Sequence, residues 1–124
     1  MERKLEETGW YEKIETTVTM ILETKSLIER YQQKKELIET SRKLLEACIS
    51  LMEKPTKLEE RRLAIAESQY QEASLRMVID CLRTQEKLAY MALQALESKN
   101  AEEFQEICEK IKKNMEGITE LTNN

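Results

Sequence analysis

The sequence runs from Trp10 to Met52 without a glycine or a proline, and again from Lys57 to Ser98. The whole chain of 124 residues contains 2 glycines and 1 proline. A sheet protein reverses direction many times and needs turn-forming residues at each reversal, which this chain does not provide. The remaining composition is rich in Glu, Lys, Leu and Ala, which favour helix. The chain is therefore predicted to be all-α.

Apolar residues in both runs recur at steps of three, four or seven, which is the period of one helix face. Pro55 interrupts the pattern, and the segment Thr56-Lys57-Leu58-Glu59 has the sequence of a capping box that begins a new helix. Two long helices, at about residues 10–53 and 57–98, must run antiparallel because the loop between them is very short. Helix 1 has no breaker near its middle, so it is predicted to continue through residues 32–35.

A shorter third helix is predicted at about residues 101–118. Asn100 is a suitable N-cap, and the acids that follow it favour the first turn of a helix. Gly117 either caps this helix or lies inside it, which places the end between Met115 and Leu121. Residues 1–8 and 119–124 are predicted to fray.

Helix 3 leaves the end of helix 2 beside the start of helix 1, so it should fold back over that half of the hairpin. We call this half proximal and the half near Pro55 distal. The predicted fold is thus an all-α, elongated bundle: a long antiparallel hairpin with helix 3 packed on its proximal half, as a single domain of residues 1–124. The apolar side chains Phe104, Ile107 and Ile111 are predicted to contact Ile14, Val18 and Ile21 of helix 1 and Ala89, Leu93 and Leu96 of helix 2.

Apolar residues in the distal part of helix 1 come in adjacent pairs, each one heptad after the last. The pairs are Leu37-Ile38, Leu44-Leu45 and Leu51-Met52. Together with Cys48 and Ile49, they span an arc of roughly 160°, which is more than one antiparallel partner helix covers. An exposed apolar surface of this kind is typical of an interface. We therefore predict that two copies associate through their distal halves as a four-helix bundle, with an interface formed by Leu37, Leu44, Leu51, Leu63 and Tyr70.

The chain has no histidine, which removes the commonest general base and the ligands of di-iron bundles. The two glycines are isolated, so no glycine-rich loop could hold a phosphate. The three cysteines, Cys48, Cys81 and Cys108, form no Cys-x-x-Cys motif and are interpreted as small apolar packing residues. We predict no catalytic residue, no metal ligand and no cofactor, and thus a protein that is not an enzyme.

The net charge of −4 argues against a nucleic-acid footprint, and the basic cluster at Lys110–Lys113 is accompanied by acids four residues away. The first residues are charged rather than apolar, and the odd number of cysteines fits a reducing compartment, so a cytoplasmic location is predicted. No segment has the length of an apolar membrane span. No motif identifies a family.

These observations leave three functional hypotheses. The leading one is a non-enzymatic interaction or assembly module that forms a homodimer and offers helical faces to other proteins. The alternative is a small chaperone-like protein that holds an amphipathic helix of a client in the distal apolar groove. The third, binding of nucleic acid through the Lys110–Lys113 face, has the least support, so nucleic acid is not expected as a partner.

Overall fold

The computed structural model of the chain describes residues 2–51 and 57–123. Three helices account for nearly all of these residues: α1 (Glu2–Ser50), α2 (Leu58–Glu97) and α3 (Ala101–Asn123). The described residues contain no strand. The all-α prediction is confirmed, and the prediction of a single domain stays a prediction.

The two long helices form the predicted antiparallel hairpin. The indole Nε1–H of Trp10, near the start of α1, donates a hydrogen bond of 2.8 Å to the carbonyl of Leu96, near the end of α2. Farther along, Arg42 of α1 pairs with Glu72 of α2. Helix α1 has 49 residues without interruption, so it is roughly 70 Å long and the predicted continuity through residues 32–35 is confirmed.

The bounds of the two long helices differ slightly from the prediction. Helix α1 begins at Glu2 rather than near residue 10, because residues 2–8 are mostly Glu, Arg, Lys and Leu, which have high helix propensity. The residue that precedes α2 is Lys57, which has a left-handed φ of 66° and makes no side-chain cap. The predicted capping residue Thr56, the breaker Pro55 and the seam residue Met52 lie outside the described residues.

The turn between α2 and α3 is a Schellman motif. The N–H of Asn100 bonds to the carbonyl of Ala95 at 2.9 Å, and the N–H of Lys99 bonds to the carbonyl of Leu96 at 3.1 Å. Asn100 then caps α3 as predicted, because its Oδ1 accepts a 3.2 Å hydrogen bond from the N–H of Glu103. The tight turn sends α3 directly back along α2.

Lys99 occupies the left-handed position of this motif, with a φ of 57°. A side chain at such a position carries a steric cost of about 1–2 kcal/mol. Replacement by glycine removes this cost, but the greater conformational entropy of glycine in the unfolded chain offsets part of the gain. We expect Lys99→Gly to raise the free energy of unfolding by about 0.5–1 kcal/mol in urea titrations. Ser98→Gly is the matched control, because Ser98 has a right-handed φ of −80°. Equal destabilisation by both variants would contradict the motif.

Helix α3 is longer than predicted, and it ends at Asn123 rather than near residue 118. Gly117 lies inside the helix and is not its cap. The extra turn is stabilised by packing, because Ile118 and Leu121 contact the buried cluster of Ile28, Val78 and Leu82. The C-terminal residues that were predicted to fray are thus largely helical.

The predicted contact of α3 with α1 is wrong in part. Helix α3 packs on α2, where Ile107 and Ile111 form a buried cluster with Ala92 and Ala95. The backbones of α1 and α3 do not come close to each other within the described ranges, 2–51 and 57–123. Val18 is 39% exposed, and the α1 side chains that approach α3 include Met20, Lys13 and Ile28. The tight Schellman turn keeps the start of α3 close to the end of α2.

Candidate interaction surface

Two rows of large apolar side chains are exposed in the distal half, where α3 no longer covers the hairpin. The row on α1 consists of Leu37, Leu44 and Leu51, which are 70%, 64% and 82% exposed. The row on α2 contains Leu63 and Tyr70, at 62% and 75%, and continues to Met77 at 55%. All five residues that were predicted for the interface are therefore open to solvent, and their contact with a partner stays a prediction.

Smaller residues lie between the large ones in both rows. Thr40 and Ala47 separate the leucines of α1, and Ala66 and Ala73 separate the large residues of α2. All four are exposed. Each helix thus carries the spacing of a coiled-coil seam, with a large residue every seven positions and a small residue between them.

The ion pair of Arg42 and Glu72 shows how the rows are oriented, because it lies where the two helices face each other. At about 100° per residue, the leucines of the α1 row point roughly 140–180° away from Arg42. The residues of the α2 row point away from Glu72 by the same amount. The two rows therefore lie on opposite outer sides of the hairpin, and one partner helix cannot contact both.

This arrangement changes the assembly that was predicted from the sequence. A four-helix bundle whose single core is lined by both rows requires them to face the same way. A single neighbour could not cover both of the rows found here, because they lie on opposite sides of the hairpin. The predicted residues are unchanged, but each row is a surface of its own.

Buried charges hold the inner side of the same region together. The Glu72 side chain is 9% exposed and pairs with Arg42, and Arg76 lies 3.5 Å from its other carboxylate oxygen. Arg42 also approaches Glu46 at 3.7 Å. This network joins α1 to α2 and fixes the register of the two helices. It thereby also fixes the positions of the two rows relative to each other. The sequence pattern did not predict this network.

The cysteines occupy unrelated environments. Cys48 is exposed on the distal part of α1, and Cys81 is half-buried on α2. Cys108 is half-buried in a proximal groove between α1 and α3, and burial raises the pKa of its thiol while nearby Lys13 lowers it. A raised thiol pKa disfavours the reactive thiolate. Within the described ranges, no three His, Cys, Asp or Glu side chains come together as metal ligands.

The proximal groove has a volume of about 470 Å³ and opens beside α3. Its floor includes Ala92 and Ile111, and the Nζ of Lys13 lies 5.6 Å from the centre of the Phe104 ring at its side. Lys112, from the basic cluster of α3, stands at the same groove. The groove thus combines an apolar floor with two lysines at its side.

Comparison with protein families, with curated proteins and with solved structures finds no match for this chain. Within residues 2–51 and 57–123, every helix lacks the apolar stretch that a membrane span requires.

Proposed function

We propose that this chain is a non-enzymatic helical assembly module that self-associates through the distal half of its hairpin. The observation that supports the proposal is the exposure of five large apolar side chains in two regular rows. They are Leu37, Leu44, Leu51, Leu63 and Tyr70, each more than 60% exposed. Scattered apolar residues are normal on a protein surface, whereas contiguous rows usually mark an interface.

The energies are compatible with association. Complete burial of a Leu or Tyr side chain contributes about 1.5–3 kcal/mol, and these side chains have most of that burial still to gain. One row in each of two copies provides about six such side chains. The sum, on the order of 10 kcal/mol, is comparable to the 4–15 kcal/mol that association costs in lost motion. A dimer of moderate affinity is the expected result.

The chemistry of the chain supports a role without catalysis. Its sequence offers no histidine, and the half-buried Cys108 has a thiol pKa raised by burial. Among the charged side chains of the distal half, Arg42, Glu46 and Glu72 form the ion-pair network that braces the two helices. The apolar rows are exposed, so packing within the hairpin does not account for them.

The test is the solution mass of the purified chain, measured by light scattering between about 1 and 200 µM. Twice the chain mass of 14.6 kDa is expected at the upper end of this range, with dissociation on dilution. A mass of one chain throughout the range would refute self-association.

A second function, the holding of a client's amphipathic helix, is favoured by one observation. Because the rows lie on opposite sides, a dimer that uses one row leaves the other open to a different partner. A synthetic amphipathic helix with leucines at heptad spacing should then bind to the dimer without dissociating it. Binding only to the monomer would instead favour a chaperone-like protein without self-association.

A further inference from the structure

The row on α2 has the complete pattern of a two-heptad coiled coil. Leu63, Tyr70 and Met77 occupy the a positions, and Ala66 and Ala73 occupy the d positions between them. All five are exposed. Small d residues allow two helices to approach closely while the large a residues fill the layers on either side. The next d position is Asp80, an exposed acid, so the seam ends there.

The charges beside this row distinguish between orientations of a second copy. One edge, the g positions, carries Arg62, Gln69 and Arg76, and the other edge, the e positions, carries Glu67 and Ser74. In a parallel pair, each g residue lies beside the e residue five positions farther along the partner helix. Arg62 then faces the partner's Glu67, twice in each dimer. An antiparallel pair instead brings the two arginine edges together.

The row on α1 has no such complementarity. Its g positions are Glu36 and Lys43, and its e positions are Ser41 and Cys48. A parallel pair of α1 rows would place each charge beside a Ser or Cys and gain no ion pair. Neither Arg62 nor Glu67 has an ion-pair partner within the described residues, so both remain available for an interchain pair.

We propose that the α2 row is the dimer seam and that two copies pair through it in parallel, with Arg62 of each copy beside the partner's Glu67. This inference rests on the proposed self-association and assigns it to one surface. A twofold axis parallel to α2 lets the same residues serve both copies. The α1 row of each copy then remains on the outside of the dimer.

Single cysteines at the d positions test the seam and its orientation together. In a variant with all three native cysteines replaced by alanine, we expect Ala66→Cys and Ala73→Cys each to form an interchain disulfide under mild oxidation. Identical d residues face each other in a parallel pair, and a disulfide needs Cα atoms about 4.4–6.8 Å apart. Thr40→Cys and Ala47→Cys, at the equivalent positions of the α1 row, are the matched controls and should remain reduced.

The cross-linking results distinguish between the possible seams and orientations. A 66–73 cross-link in a mixture of the two variants, with neither variant cross-linking to itself, would show an antiparallel pair and overturn the orientation. Cross-linking at Thr40→Cys or Ala47→Cys would assign the seam to α1. A dimeric mass without cross-links in either row would overturn this inference alone, whereas a monomeric mass would overturn self-association as well.

Charge exchange provides an independent test. Arg62→Glu should weaken the dimer by about tenfold, because it replaces two attractive pairs with repulsive ones. Adding Glu67→Arg should restore the dissociation constant to within about twofold of the wild type. Lys43→Glu, on the α1 row, should leave it unchanged. Failure of the second substitution to rescue the first would contradict the parallel seam.

Discussion

Replacing Arg42 with methionine is expected to lower the free energy of unfolding by about 3 kcal/mol. Arg42 neutralises the buried carboxylate of Glu72, and its removal leaves that charge in a site where water reaches it poorly. Breaking a buried pair from one side typically costs about 3–5 kcal/mol. Arg76 remains 3.5 Å from the carboxylate but is itself well exposed, which places the expected loss at the lower end of that range.

The double variant Arg42→Met/Glu72→Met is the control. It removes both charges and leaves two apolar side chains of suitable length, so its stability should lie within about 1 kcal/mol of the wild type. Urea unfolding followed by circular dichroism measures both variants, and all samples need the same protein concentration because association stabilises the folded state. A loss of less than 1 kcal/mol in Arg42→Met would mean that Glu72 is solvated in solution.

The hairpin could be predicted from the sequence because local signals specify it. Two long stretches without glycine or proline, and a proline between them, determine the number and direction of the long helices. Asn100 could be recognised as a cap for the same reason, since its role depends only on the residues that follow it. These features do not require knowledge of what packs against them.

The end of α3 and its position on the bundle could not be predicted in this way. Gly117 is compatible with a cap or with a helix interior, and what decides between them is the contact of Ile118 and Leu121 with the cluster around Val78. The choice of α2 over α1 as the support for α3 depends on the left-handed turn at Lys99. Lysine gives no sign of that turn, since glycine is the usual residue there.

For the candidate surface too, some features could be predicted from the sequence and others depend on how the helices pack. The heptad spacing of Leu37, Leu44 and Leu51 shows that the leucines form a row, and the structure shows that this row is exposed. The relative direction of the two rows depends on which residues face inward between α1 and α2. Arg42 and Glu72 occupy that inner side, and two charged residues on an apolar stripe are not readily interpreted from sequence as the contact between two helices.

Replacing Ile107 with alanine is expected to lower the free energy of unfolding by about 3 kcal/mol. Ile107 is 3% exposed and packs on α2 against Ala92 and Ala95. The two alanines cannot move into the space, and the partly buried Leu88, Met20 and Phe104 beside this cluster can fill only part of it. The loss should therefore lie in the lower half of the 2–5 kcal/mol range of buried Ile→Ala changes.

Met115→Ala is the matched control for Ile107→Ala, because Met115 lies on the same helix and is 51% exposed. Its replacement should cost less than 1 kcal/mol. Equal effects of the two variants would mean that α3 is not docked on α2 in solution. Light scattering on the same samples tests whether the distal half still forms the dimer when the packing of the proximal half is weakened. Because the distal rows lie beyond the region that α3 covers, Ile107→Ala should still form the dimer under conditions where it remains folded.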